Sequence, residues 1–325
     1  MQDATLSRLK ATGKGEDTEG EFTKVDWVDE DITYLSKDDC SYLSKYINAT
    51  YLSQKSMTEI REGFEKESSV QLRQFLNEEW IEKVNAAMAR AQENTPPQNY
   101  AVGIGDSWKA VGPAHKQRFL EYTGQDEGTS IGAILQHLKK HLFQSESFGH
   151  FLKLISSLGM PLGHRGRVRR FRPGLDYTVA HYGILTTQAV LDATMCFAAG
   201  KGSQTFMDEE TGELMGSAED TMWESGDVGG FECYIAADEE DDDAAAQYDD
   251  QDDTELLSVS VSNNTLSLVY RDPGTMRFVK YVGCQAPSSR FDVSMEYEVT
   301  YDEAEERDVD GDDQNKEDLD SYQEA

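Results

Sequence analysis

From residue 165 onward the chain is cut into eight short runs rich in β-branched and aromatic residues: RVRRFR, LDYTVAHYG, AVLDATMCF, GGFECYIA, ELLSVSV, TLSLVY, RFVKYVG and SRFDVSMEYEV. Gly, Asn or Pro separates nearly all of them, and segments this short bury their apolar faces only by pairing into sheets. The tetrapeptide SNNT at 262–265 predicts a hairpin turn between two of the strands. Eight strands behind a helical region predict an α+β fold, a barrel or jelly roll buttressed by N-terminal helices.

The helical region is marked by a different period. Leu72, Phe75, Leu76, Trp80, Val84, Ala87, Met88 and Ala91 recur at three and four, which predicts one amphipathic helix ended by Pro96 and Pro97. Ile131, Leu135, Leu138 and Leu142, then Phe148, Phe151, Leu152, Ile155 and Leu158, predict one or two more, stopping at the turn 159–161. Residues 1 to 30 are polar, lack periodicity and read as a linker.

Charge divides the chain further. The net charge is −32, but residues 238–253 hold 10 carboxylates and residues 302–325 hold 12 against two basic residues. Setting these aside leaves 40 acidic and 28 basic residues, a net of −12 over the other 285. Dense like-charge blocks repel themselves and stay solvated. The first is therefore predicted to be a disordered acidic insertion and 301–325 a disordered acidic tail, bracketing a folded unit over 31–300. No apolar run has the length of a signal peptide core or a membrane span, so no membrane partner is expected, and the expected location is cytoplasm and nucleus. Cys40, Cys196, Cys233 and Cys284 lie far apart without a CxxC pair, which argues against zinc sites and against a disulfide framework.

Enzyme signatures are scarce. The chain has no GxSxG elbow, no GxxxxGK[ST] phosphate loop and no HExxH helix. The glycines of VGIGDSW at 102–108 and of ESGDVGG (Gly226, Gly229 and Gly230) read as turns, since neither stretch has a βαβ context.

Against this acidic background, residues 164–172, HRGRVRRFR, pack five arginines and a histidine into nine residues. On a strand, Val168, Arg170 and Arg172 share one face and Arg167, Arg169 and Phe171 the other, and neither face is wholly apolar. At least one arginine is therefore expected to reach inward to a carboxylate such as Asp176 or Asp227, because a buried arginine requires a partner. Arg172 with Asp176 is the candidate structural ion pair. Arg165, Arg167 and Arg169 are the candidate partner-binding residues, with Arg165 and Arg167 expected at the surface. Nucleic acid is disfavoured, because the rest of the surface would repel phosphates.

Six motifs in order carry a family resemblance: LSKYINATYLSQKSMTEIREGFEKESSVQL, WKAVGPAHKQRFLEY, RRFRPGLDYTVA, WESGDVGGFECYI, YRDPGTMRFVKYVG and SRFDVSMEYE. Over roughly residues 31 to 300 the chain resembles the C-terminal degradation domain of the fungal 2-oxoglutarate- and Fe(II)-dependent ribosomal prolyl hydroxylases. The resemblance implies a double-stranded β-helix, a jelly-roll or cupin-like fold, and the second of two such domains in those proteins. It implies that Fe(II), 2-oxoglutarate and ascorbate belong to the family's N-terminal domain, with no cofactor in this chain. The implied role is a non-catalytic protein-interaction and regulatory domain, linked to translation termination and to oxygen-dependent control of transcription factor degradation. Its implied partners are the family's own N-terminal catalytic domain, translation-termination or ribosomal factors, and a transcription factor or adaptor. The alternative is part of an active prolyl 3,4-dihydroxylase acting on a small ribosomal subunit protein, with the catalytic domain missing or encoded upstream.

The histidines can be tested against iron chemistry directly. A non-haem Fe(II) site needs two histidines and a carboxylate on one face, and on a strand the usual spacing is HxD or HxE. Two residues after the six histidines stand Gln117, Lys139, Phe143, Leu152, Gly166 and Gly183, none of them a carboxylate. His115, His137, His141 and His150 fall in the helical zone, leaving His164 and His181 near the strands. A constellation of distant residues, His181 with Asp176 or Asp192, stays open as the weaker alternative. No catalytic and no metal-ligating residue is assigned.

Overall fold

The computed structural model describes residues 20–28, 31–91, 100–181, 184–185, 188–198, 206–207, 214–215, 222–223, 226–237 and 255–300. In chain order the strands are β1 (Thr23–Lys24), β2 (Ser69–Arg73), β3 (Trp108–Val111), β4 (Gln117–Tyr122), β5 (Gly163–Phe171), β6 (Tyr177–Thr178), β7 (Val190–Ala198), β8 (Phe206–Met207), β9 (Leu214–Met215), β10 (Glu232–Ala236), β11 (Glu255–Val259), β12 (Thr265–Arg271), β13 (Thr275–Val279) and β14 (Arg290–Glu298). The α-helices are α1 (Lys37–Leu43), α2 (Gln54–Glu67), α3 (Glu78–Ala91), α4 (Ile131–Leu138) and α5 (Glu146–Ser156), with a π-helical turn at Lys139–Phe143 between the last two.

The predicted α+β class holds, and the topology specifies it. One antiparallel sheet runs β2-β12-β7-β14-β5-β4-β3, and a smaller one runs β11-β10-β13. The strand β6 touches both: it pairs with β4, and its Thr178 hydroxyl accepts the Val279 N–H of β13 at 2.7 Å. From β5 onward the chain therefore winds back and forth between two facing sheets. That winding is a double-stranded β-helix.

Strand alternation gives the large sheet two different faces. Leu191, Ala193, Met195 and Phe197 of β7, and Phe291, Val293, Met295 and Tyr297 of β14, join Leu266, Leu268 and Val168 in one apolar cluster. The helical buttress closes that cluster with Leu135, Leu138, Phe148, Phe151 and Ile155. Tyr297, fully buried, donates its hydroxyl to the Phe143 carbonyl at 2.6 Å, so its one polar atom is satisfied inside the core.

Four sequence expectations are corrected. The predicted helix over 72–91 is shorter: Leu72 lies in β2, whose five residues pair with Thr265–Val269, and α3 starts at Glu78. A period of three and four runs through both elements because a strand and a helix face the same core in succession. SNNT is a turn but makes no hairpin, because β11 belongs to the small sheet and β12 to the large one. Asn264, at φ 51°, instead grips the loop before α3: its side chain accepts the Leu76 N–H at 2.9 Å and donates to the Leu76 carbonyl at 3.2 Å. The zone expected to be helical also supplies β3 and β4, which extend the large sheet past β5.

The fourth correction concerns the linker. Residues 20–28 are packed onto the domain: Thr23 pairs with His164 and Lys24 with Gly163, and the Trp27 ring lies where a Cβ on Gly149 would sit, 2.8 Å from that position. The remaining residues of the linker stretch, Pro96, Pro97, and both acidic tracts lie outside the described residues.

Candidate functional site

The opposite face of the large sheet points between the two sheets, and there the alternation places charge instead of hydrocarbon. Across β5 and β14, Arg165 faces Glu296, Arg167 faces Ser294 and Arg169 faces Asp292. Across β14 and β7, Glu296 faces Asp192 and Ser294 faces Thr194. From the small sheet, Glu232 of β10 and Arg277 of β13 enter the same space.

The resulting lattice is closed by forks. Arg169 holds Asp292 through two bonds of 2.7 and 3.1 Å and lies 3.4 Å from Glu232. Arg277 reaches Glu232 at 2.7 Å, Asp192 at 3.1 Å, Thr194 Oγ1 at 2.6 Å and Ser294 Oγ at 2.8 Å. Arg271 bonds Asp192 at 2.9 Å and Glu296 at 3.1 Å, Arg290 reaches Asp292 at 3.0 Å, and Arg165 pairs with Glu296. Five arginines thus meet four carboxylates, and planar guanidinium groups suit the task because each presents several donors in a fixed fork. Taking such charges out of water is costly unless every partner is present. The carboxyl of Glu232 shows which effect wins: burial pushes its pKa up, yet Arg277, Arg290 and Arg169 together hold it down to about 2. At Cys196 on the same face the balance falls the other way: burial pushes its thiol up to about 11 although the Arg290 charge opposes it.

The arginines of the basic segment therefore separate. Arg172 and Asp176, the candidate ion pair, sit with Nε–Oδ2 at 2.7 Å and Nη2–Oδ1 at 2.9 Å, both side chains essentially without solvent contact. The Asp176 carboxylate also accepts the Arg172 backbone N–H at 2.8 Å, and Arg172 Nη1 donates to the carbonyls of Tyr100 and Val102. The pair staples the turn after β5 to the VGIGDSW loop.

Two expectations are corrected: Arg165 as a surface residue and Arg169 as a partner-binding candidate. Arg165 is mostly enclosed, paired to Glu296 and bonded to the Gly20 carbonyl at 3.1 Å, and Arg169 is buried in the lattice. Both belong to a strand whose odd positions face the interior, an orientation that local sequence leaves open. Arg167 differs: it is half-buried and forms no ion pair among the described residues.

Arg167 also stands at an opening. The edge of β5 is paired at 163–164 by β1 and at 169–170 by β4, which leaves 165–168 uncovered by a strand. A cavity of about 420 Å³ lies there, lined by Lys139, Arg165, Arg167 and Arg169 against Glu121 and Glu296. A second, smaller cavity beside Lys116, His181, Arg271 and Arg277 shares Arg167 and Arg169 with it. Cations outnumber carboxylates along this cleft, in a chain whose net charge is −32.

An Fe(II) centre, which needs two histidines and a free carboxylate on one face, does not fit these residues. His181 borders the cleft, but Asp176 is engaged by Arg172, and Asp192 by Arg271 and Arg277. His164 lies apart, buried against Trp27 at the start of β5. Guanidinium groups occupy the ground where a dication would have to enter, and like charge opposes it.

A different group escaped sequence reasoning. Asp126, His137 and His141 come together outside the β-helix, on the buttress. The spacing HLKKH at 137–141 was the available signal, since i and i+4 share a helix face; Asp126 joins only through the fold.

Two facing antiparallel sheets, a helical buttress and an interior filled by paired charges define a double-stranded β-helix domain of the oxygenase type. The chain matches, over residues 38–306, the family described as oxoglutarate and iron-dependent oxygenase degradation C-term, and it belongs to that family. It is 35% identical over 262 residues to the prolyl 3,4-dihydroxylase OGFOD1 of Ostreococcus tauri, covering 78% of this chain and 48% of that protein. To the prolyl 3-hydroxylase OGFOD1 of Xenopus laevis it is 27% identical over 258 residues, covering 75% and 44%. The chain thus spans about half the length of the curated relatives it matches, and those relatives extend beyond the fungi. Among solved structures it is similar, at TM-score 0.42 and 10% identity, to a prolyl hydroxylase from Trichoplax adhaerens in complex with a hypoxia inducible factor oxygen degradation domain peptide fragment, covering 75% of this chain and 89% of that one.

Proposed function

We propose that this chain is the non-catalytic, partner-binding and regulatory half of an oxoglutarate- and iron-dependent prolyl hydroxylase, and that the cleft at Arg167 receives an acidic protein segment. The observation that carries this reading is the pairing of Asp192, Glu232, Asp292 and Glu296 with arginines, while Arg167 is left at the mouth of the cleft. A lattice of that kind spends the interior on ion pairs and leaves cationic surface at its edge. Acidic partners fit such a surface by charge complementarity. Within the family reading, those partners are the catalytic half itself, ribosomal or translation-termination factors, or a transcription factor whose degradation follows oxygen, met in the cytoplasm or nucleus.

A second reading is favoured by length. Because the relatives are about twice as long as the matched part, the same domain serves inside an active prolyl 3,4-dihydroxylase that acts on a small ribosomal subunit protein, with Fe(II), 2-oxoglutarate and ascorbate held by the other half. One experiment separates the two roles. The chain alone, given Fe(II), 2-oxoglutarate and ascorbate, is expected to form no succinate above a protein-free control; turnover lost in His181→Ala would overturn the reading. In parallel, fluorescence anisotropy with an Asp/Glu-rich peptide is expected to show saturable binding that Arg167→Ala abolishes and that a Lys-rich peptide does not reproduce. Equal binding by wild type and Arg167→Ala would remove the cleft from the proposal.

A further inference from the structure

We infer that Asp126, His137 and His141 form a binding site for a first-row divalent metal ion of the zinc class, with a coordination position open to solvent. Nothing in the proposed partner-binding role requires this site, whose three residues lie on the helical buttress and are not among those lining the Arg167 cleft.

One ligand atom from each residue lies within 4.8 Å of the others. His141 Nε2 is 2.7 Å from Asp126 Oδ2, and the two imidazole rings have centroids 4.3 Å apart. Two imidazoles and one carboxylate, with a further position for water, make up the donor set typical of open zinc sites. Such nitrogen and oxygen donors suit Zn(II) and its neighbours Co(II) and Ni(II), whereas hard cations such as Mg(II) prefer all-oxygen sets.

The histidine pair is built by an unusual helix. His137 ends the regular turns of α4, and His141 follows within the π-helical turn Lys139–Phe143. Widened turns of this type recur at functional sites because they cost regular hydrogen bonding and persist where they aim side chains. Surrounding groups fix the aim. The His137 ring stacks on Trp80 at 5.2 Å and 23°, and bonds to the Asp126 backbone, the outer contact that commonly orients a ligating imidazole. The Tyr42 hydroxyl donates to the His141 carbonyl at 2.5 Å.

Two cations oppose a metal: Lys140 Nζ is 3.2 Å from Asp126 Oδ1, and Lys83 lies over Trp80 at 4.5 Å. An entering ion has to displace Lys140 from the carboxylate. Removing Lys140 is therefore expected to tighten binding, an effect that a purely structural cluster would not show.

The test uses the full chain, stripped with chelator and titrated with Zn(II) by calorimetry. Co(II) serves as a second probe, because it should quench Trp80 through the stacked His137. One saturable equivalent is expected above any weak binding to the acidic tracts. Affinity should fall about tenfold or more in His141→Ala and in Asp126→Asn and rise in Lys140→Ala, and the Co(II) quenching should be lost in His141→Ala. Circular dichroism confirms that each variant is folded, and the half-buried position of His141 at the edge of the buttress makes that the expected result. Unchanged binding in both His141→Ala and Asp126→Asn would place the ion on the acidic tracts and overturn the site, as would the absence of any saturable step in the wild type.

Discussion

The two faces of the large sheet share the same strands and the same burial, yet they are stabilised by opposite physics. On the buttress side, Met195, Val293 and Tyr297 pack hydrocarbon against helices; one residue along, on the inner side, Thr194, Asp292 and Glu296 meet arginines. The apolar face degrades gradually, because each lost side chain removes its own transfer energy and leaves a cavity. The ionic face is closer to all-or-none, because each lost partner strands a charge that burial then penalises. Such an interior is a poor device for raw stability and a good one for fixing register between two sheets.

The largest effect is expected from Asp192→Ala, which removes the carboxylate shared by Arg271 and Arg277 and leaves these two buried charges to Glu296 and Glu232 alone. Removing one member of a buried pair costs roughly 3 to 5 kcal/mol, so urea unfolding should show either that loss or failure to fold. On the other face of the same strand, Met195→Ala should cost about 2 to 5 kcal/mol. A loss in Asp192→Ala below about 1 kcal/mol, the size of an exposed pair, would break the comparison.

Acid sharpens it further. The Glu232 carboxyl sits at about 2 in the folded chain against an ordinary 4.5. Its contribution is thus complete above the ordinary value and lost as pH falls from about 4.5 towards 2, a term on the order of 3 kcal/mol. Glu232→Gln should flatten that part of the acid-unfolding curve, and an unchanged slope would show that the lattice does not hold this proton off.

The smallest effect is expected at Arg167, set against Arg172 in the same segment. Arg172→Ala should be destabilising by several kcal/mol, of the order given for a buried pair, whereas Arg167→Ala should change stability by less than about 1 kcal/mol. A stability loss at Arg167 comparable to that at Arg172 would mean that the cleft is part of the lattice and not a surface for partners.

How much of this was legible beforehand follows from the range of each interaction. The eight C-terminal runs named from the sequence, the helical stretches that became α3, α4 and α5 and the pairing partner of Arg172 were placed by local pattern, whereas α1, α2, β8 and β9 carried no signal that was read. The turn SNNT was visible, but whether it joins two strands of one sheet or crosses between sheets depends on partners about 190 residues away, Phe75 and Leu76. The reach of Arg169 and Arg165 into the interior was hidden for the same reason: their carboxylates, Asp292 and Glu296, lie more than 120 residues downstream. A strand with arginine on both faces carries no local sign of which face is inside. Asp126 is a milder case, since only the fold of the loop before α4 brings it to the histidine pair.

The β-helix interior is one coupled ion-pair lattice, and a double-mutant cycle on Arg169→Ala and Asp292→Ala is its sharpest test. Urea unfolding of the wild type, both single variants and the double should give a coupling energy of roughly 2 to 3 kcal/mol, the double being far more stable than the summed singles imply. Additivity within about 0.5 kcal/mol would contradict it, because two buried residues that bond at 2.7 Å cannot then be sharing their burial.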